Sequence, residues 1–150
     1  MADIILHRGG ESLYAEKIRL ILGHKKLDWK WVVIPMMPPR PELTALTGGN
    51  RRTPIMQIGA DVYCDSALMA ATLERIAPQH TLYPDGHHAM IDTVAQWGDS
   101  NLFWAAIAYL YQTDGVLVAL SQKTPEQVQQ YKEDRAGLLK SRPLTGFAET

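Results

Sequence analysis

The chain has 150 residues, 46% of them hydrophobic and 21% charged, a mixture that argues against a disordered, collagen-like or coiled-coil protein. Fifteen basic and sixteen acidic residues give a net charge of −1, which disfavours nucleic acid and anionic membranes as partners. A single cysteine permits no internal disulfide, which suits a reducing compartment. Because no apolar run resembles an export signal or a membrane span, the expected location is the cytoplasm.

The first half of the chain alternates strand and helix patterns. Apolar and β-branched runs predict strands, and apolar residues spaced three and four apart predict helices. The predicted order β-α-β-α-β-β-α indicates an α/β domain whose first two strands are parallel. In chain order the predicted elements are strand 4–6, helix 12–24, strand 29–34, short helix 41–46, hairpin 54–64 and helix 65–76. The charged residues between the apolar positions of the first helix are expected on its solvated face; they are Glu16, Lys17, Arg19 and Lys25.

The second half of the chain loses the strand pattern. Two prolines and a glycine in 78–86 predict a boundary, so the expected domains are 1–80 and 81–150. Helical spacing continues beyond it. The aromatic residues of this half are expected to pack in a core, with an apolar pocket as the alternative; they are Trp97, Trp104, Tyr109 and Tyr111. Thr124 with Gln127 has the spacing of a helix-capping box. The second domain is therefore predicted to be entirely α-helical.

Ser12 is the first candidate site residue. It follows a glycine turn after the first strand and stands at the predicted start of a helix, where backbone N–H groups and the helix dipole favour an anion. A thiol held against these donors is shifted towards its thiolate form. Spacing alone favours the simpler interpretation, in which Ser12 only caps the helix.

Two further pairs of residues carry possible binding chemistry. From X–Pro chemistry alone, Thr53-Pro54 is an ordinary trans bond, whereas a cis bond turns the Thr53 backbone towards an extended peptide. Asp65-Ser66 offers a carboxylate for an ammonium group, and a hydroxyl and N–H groups for a carboxylate. Those are the two charges on the α-carbon of an amino acid, although Asp65 also suits a simple helix cap.

Together these motifs resemble the glutathione transferase superfamily. The resemblance implies a thioredoxin-like N-terminal domain followed by an all-α domain that is incomplete in this chain. It covers about the first 84 residues, and the segments that carry it are 12–19 (SLYAEKIR), 53–56 (TPIM) and 65–68 (DSAL).

The resemblance implies a role for each motif in binding glutathione. Ser12 matches the hydroxyl that hydrogen-bonds the glutathione sulfur, and Thr53 with a cis-Pro54 matches the pair that contacts the cysteinyl backbone. Asp65 and Ser66 match the residues that hold the γ-glutamyl end. Arg52 is expected to approach the negatively charged groups of the tripeptide.

The implied activity is a cytoplasmic, homodimeric glutathione transferase acting in detoxification. Glutathione is its co-substrate, a small hydrophobic electrophile its second substrate, and no metal is expected. Leu13 stands where the family often has proline, and Asp65 where glutamate is commoner. These departures and the short second domain leave open a non-catalytic module for protein association. A glutathione-dependent isomerase or reductase is the third alternative, although a reductase prefers cysteine at position 12.

Overall fold

The computed structural model divides the chain into two compact units, Met1–Pro84 and Asp85–Thr150. Among the described residues, no helix has both the length and the apolar character needed to cross a membrane. The residues described are 3–9, 12–35, 37, 39–112, 120–121 and 123–139.

The first unit has the predicted order of elements around a four-stranded sheet, with strands arranged β2-β1-β3-β4. Strand β2 is parallel to β1, β3 is antiparallel to β1, and β4 is antiparallel to β3. This is the thioredoxin-like arrangement that the resemblance implies. The elements are β1 Ile4–Arg8, α1 Leu13–His24, β2 Lys30–Val33, α2 Pro41–Thr47, β3 Ile55–Ile58, β4 Asp61–Tyr63 and α3 Ser66–Ile76.

The core lies on both faces of the sheet. Helices α1 and α3 share one apolar cluster with β1 and β3, while α2 belongs to a second cluster around Ile55. Met56 joins the first cluster and its neighbour Ile55 the second, so the two clusters lie on opposite faces. The first cluster comprises Ile4, Leu6, Ile18, Leu22, Met56, Met69 and Leu73.

Lys25 corrects an expectation from the sequence. The helical period assigns it to the solvated face of α1, but its side chain is completely buried. The period no longer applies because Lys25 is the C-cap of α1. Its ammonium group donates to the Glu74 carboxylate at 2.5 Å and to the Ala77 carbonyl at 2.8 Å. Glu74 also accepts from the Thr81 hydroxyl at 2.6 Å and the Leu82 N–H at 3.0 Å.

The hydrogen bonds to Glu74 predict a pH dependence of stability. Burial raises the pKa of Glu74, but hydrogen bonds from Lys25, Thr81 and the Leu82 amide outweigh burial and lower this pKa from 4.5 to about 2. The unfolded chain therefore binds the proton more tightly than the folded chain. The resulting stabilisation, about 3 kcal/mol, is present above pH 4.5 and is lost as the pH falls from about 4.5 towards 2.

Urea unfolding at about pH 6 and pH 3 measures this loss. A Glu74→Gln chain lacks the titrating group, so its free energy of unfolding should fall less over the same range. Equal losses in the two proteins would contradict the assignment to Glu74.

The second unit is helical in its described residues, as predicted. However, Trp97 is 52% and Tyr109 67% exposed, so the expectation of core packing is wrong for these two. Trp104 is half-buried, and the expectation for Tyr111 lies outside the described side chains. Trp97 shares an exposed stripe of α4 with Met90 and Val94. Helical spacing identified a common face but not what covers that face. The elements are α4 His88–Trp97, a π-helical segment Gly98–Leu102, α5 Phe103–Gln112 and α6 Pro125–Leu139.

Candidate functional site

The three sequence motifs meet at one edge of the sheet in the first unit. Strands β1 and β4 run in the same direction, because each is antiparallel to β3. The residues that follow β1 and β4 therefore lie at the same edge as those that precede β3. Ser12, the Thr53-Pro54 pair and the Asp65-Ser66 pair occupy these three positions.

Helices α1 and α3 are parallel and in register. Lys17 contacts Ser66 and, further along the helices, Lys25 contacts Glu74, with the same separation of 49 residues in both pairs. Both helices therefore begin at the candidate edge. Their free N–H groups and dipoles point the same way, which makes the edge favourable for anions.

Ser12 caps α1. Its half-buried side chain accepts a hydrogen bond from the Ala15 N–H, with 3.3 Å between Oγ and N. A hydroxyl has two lone pairs and one proton, so accepting this bond leaves its proton available to an acceptor outside the helix. The capping interpretation and the thiolate-binding interpretation are therefore compatible.

Asp65 and Ser66 open α3. One carboxylate oxygen of Asp65, Oδ1, accepts from the N–H groups of Ala67 and Leu68 at 2.9 and 3.0 Å. The second oxygen, Oδ2, has no partner among the described residues, and the side chain is exposed. The Ser66 N–H likewise has no acceptor in the described part of the chain. The pair thus presents a carboxylate oxygen next to an N–H and a hydroxyl.

The Thr53-Pro54 bond is cis, as the resemblance implies and unlike the trans bond expected from X–Pro chemistry alone. Pro54 is buried and Thr53 half-buried. Within the described ranges, neither the N–H nor the carbonyl of Thr53 has a hydrogen-bond partner. The Thr53 backbone can therefore accept an extended peptide as a short added strand.

Arg52 lies on the loop immediately before Thr53. Its backbone N–H donates to the Asn50 side chain at 3.3 Å, and its carbonyl accepts from the same side chain at 3.4 Å. Arg40, which the sequence analysis did not single out, donates to the carbonyls of Pro35 at 2.7 Å and Arg51 at 3.2 Å. Arg40 thereby fixes the loop, while the exposed Arg52 supplies a cation beside Thr53.

Lys17 is a residue of this edge that sequence reasoning missed. The helical period assigns it to the solvated face of α1, yet it is half-buried and its Nζ lies 3.5 Å from Ser66 Oγ. The signal that identifies it is three-dimensional, because it depends on α3 running beside α1. No group of three or more His, Cys, Asp or Glu side chains suited to a metal ion occurs in the part of the chain that the structure describes.

Comparisons with known proteins agree with this geometry. Residues 11–76 match the family model of the glutathione S-transferase N-terminal domain. A GST-like protein from Pseudomonas syringae is 49% identical, with a TM-score of 0.69, over 73% of this chain and 40% of that protein. A glutathione S-transferase from Rhodospirillum rubrum F11 is 20% identical, with a TM-score of 0.65, over 92% of this chain and 63% of that one.

A glutathione transferase homologue from Drosophila mojavensis, solved with bound glutathione, is 20% identical with a TM-score of 0.63. The match covers 89% of this chain and 63% of the homologue. The chain thus spans between 40% and 63% of the length of these three proteins. A search of curated proteins gave no match.

The fold and the family match define the first unit as a thioredoxin-like domain of the glutathione S-transferase N-terminal type. Through this domain, which the family model matches over residues 11–76, the chain belongs to the glutathione S-transferase superfamily.

Proposed function

We propose that the chain binds reduced glutathione at the edge formed by Ser12, Thr53-Pro54 and Asp65-Ser66 and activates its thiol for transfer to a small hydrophobic electrophile. The observation that carries this proposal is that three separate motifs, each matching one part of the tripeptide, occupy one edge of the sheet. The glutathione bound to the Drosophila mojavensis homologue supports the choice of ligand. Detoxification, a cytoplasmic location and a homodimer belong to the same proposal.

The γ-glutamyl end of glutathione fits the start of α3. The Asp65 carboxylate receives the ammonium group through Oδ2, because Oδ1 is occupied by the helix cap. The Ser66 N–H and hydroxyl receive the α-carboxylate. The cysteinyl backbone pairs with Thr53, which presents one N–H and one carbonyl without partners among the described residues. Arg52 lies near the remaining negatively charged group of the bound tripeptide.

The sulfur of a peptide held in this way faces the start of α1. The Ser12 hydroxyl donates a hydrogen bond to the thiolate, and the thiol proton passes to solvent. The thiolate then forms a bond to an electrophilic carbon, and the leaving group departs with its electron pair. The rate enhancement comes from thiolate stabilisation and from holding the two reactants together. No covalent intermediate with the protein is required.

An association module is the second candidate. The observation that favours it is the exposed stripe of Met90, Val94 and Trp97 on α4. An association module has no requirement for glutathione, so the titration below separates the two candidates. A reductase gains no support, since position 12 is serine.

Calorimetric titration with reduced glutathione tests the proposal. The unchanged chain should bind with saturation, and Asp65→Asn should weaken binding about tenfold or more, because a charged hydrogen-bond partner of the ammonium is lost. Asparagine retains a side-chain oxygen for the Ala67 and Leu68 N–H groups, so the helix cap survives.

Asp61→Asn is the matched control, because Asp61 is exposed at the start of β4 and lies outside the candidate edge. It should bind glutathione like the unchanged chain. A folded chain without measurable binding, or Asp65→Asn binding with unchanged affinity, would refute the proposed γ-glutamyl site.

A further inference from the structure

Lys17 brings a positive charge to the start of α3 from the neighbouring helix. It lies in the first turns of α1, and its Nζ is 3.5 Å from Ser66 Oγ. This distance exceeds the usual 2.7–3.2 Å of a nitrogen–oxygen hydrogen bond, so the contact with the neutral hydroxyl is weak. An ammonium group carries three donors and binds an ionised carboxylate more strongly than a hydroxyl. A carboxylate that reaches Ser66 therefore also lies within reach of Lys17.

The charges at this end of the site need such a cation. Asp65 attracts the ammonium of a γ-glutamyl group but repels the carboxylate on the same carbon. Ser66 has no charge with which to offset that repulsion. Lys17 reaches Ser66 from the α1 side, whereas Asp65 precedes Ser66 in the chain. Two opposite charges thus flank Ser66, as a zwitterion requires.

The positive charge of Lys17 also favours one orientation of the Ser66 hydroxyl, because it repels the hydroxyl proton. When a lone pair of Ser66 Oγ faces the Lys17 ammonium, the hydroxyl proton points elsewhere, because a hydroxyl has one proton and two lone pairs. The ligand carboxylate is then an available acceptor for it. Lys17 thus favours a bound carboxylate both by its own charge and by the orientation of the Ser66 hydroxyl.

We infer that Lys17 is a positioning and specificity residue that selects ligands with a free α-carboxylate on the γ-glutamyl group. This inference rests on the proposed function, since it identifies Lys17 as a residue that recognises the γ-glutamyl end of the same ligand. It adds a residue from α1 to a subsite otherwise formed by α3.

A comparison of two ligands tests the inference. The first probe is reduced glutathione, and the second is 4-aminobutanoyl-Cys-Gly, which is the same peptide without the α-carboxylate. Lys17→Met should raise the Kd for glutathione about tenfold and leave the Kd for the second peptide unchanged. Lys17→Arg should restore most of the affinity for glutathione, because it retains the charge.

Lys132→Met is the matched control, because it removes the positive charge of an exposed residue on α6. It should bind both peptides like the unchanged chain. Thermal unfolding verifies that each variant is folded, and Lys17→Gln replaces Lys17→Met if the latter is not. Equal weakening of both peptides would reveal a merely structural role and overturn the inference, as would unchanged glutathione binding. Failure of the unchanged chain to bind glutathione would instead refute the proposed function itself, and the inference with it.

Discussion

Replacing Ser12 with glycine is expected to lower the turnover of glutathione transfer about a hundredfold while changing the Kd for glutathione by less than about threefold. The hydroxyl acts on the sulfur, where charge develops, whereas the rest of the tripeptide is held by other groups. Glycine is preferred to alanine because it costs a helix N-cap only a few tenths of a kcal/mol. The Ala15 N–H loses its side-chain acceptor in either variant.

The ultraviolet absorbance of the bound thiolate, followed across pH, measures the effect without any electrophile. A free cysteine thiol has a pKa of about 8.5. The thiol bound to the unchanged chain should titrate below this value, and the thiol bound to Ser12→Gly should return towards it. Ser100→Ala is the control, because the Ser100 hydroxyl lies in the second unit and donates to the nearby Gln96 carbonyl of α4 at 2.6 Å. Unchanged thiol titration and turnover in Ser12→Gly would refute the role of Ser12.

The features that the sequence predicted well are local ones. Capping and turn chemistry depend on residues a few positions apart, so they can be recognised without knowledge of the fold. Thr124 and Gln127 exchange the two predicted bonds, with N···O distances of 3.0 and 3.3 Å. Ser12 and Asp65 both cap their helices, as the capping interpretation of each residue predicted.

The features that the sequence missed join residues far apart in the chain. Lys17 and Lys25 both look like solvated residues of α1, because a helical period describes only one helix. Each has its partner 49 residues away, in α3. The cis bond before Pro54 was implied only by the resemblance, since X–Pro chemistry favours the trans form.

The two lysine contacts also connect stability with the site. The Lys25–Glu74 pair lies at the C-terminal ends of α1 and α3, and the Lys17–Ser66 contact at their N-terminal ends. Because the Lys25 side chain is completely buried and Glu74 is its charge partner, the pair restricts how far one helix can shift along the other. That shift determines the distance between Ser12 and Asp65 at the candidate edge.

Glu74→Gln is expected to lower the free energy of unfolding of the first unit by about 3–5 kcal/mol at neutral pH, because it leaves the Lys25 ammonium buried without a counter-charge. Urea unfolding measures this loss. Glu16→Gln is the matched control: it removes a carboxylate from an exposed pair with Arg19, where such substitutions have little effect.

The double variant Lys25→Met with Glu74→Gln separates the value of the pair from the cost of an unpaired charge. It removes both charges, so it should be more stable than Glu74→Gln alone, and the two substitutions should not be additive. If the double variant is less stable than the single one, the hydrogen bond from Lys25 to the Ala77 carbonyl outweighs the cost of its unpaired charge. A Glu74→Gln chain as stable as the unchanged protein would show that the burial of Lys25 does not depend on its charge partner.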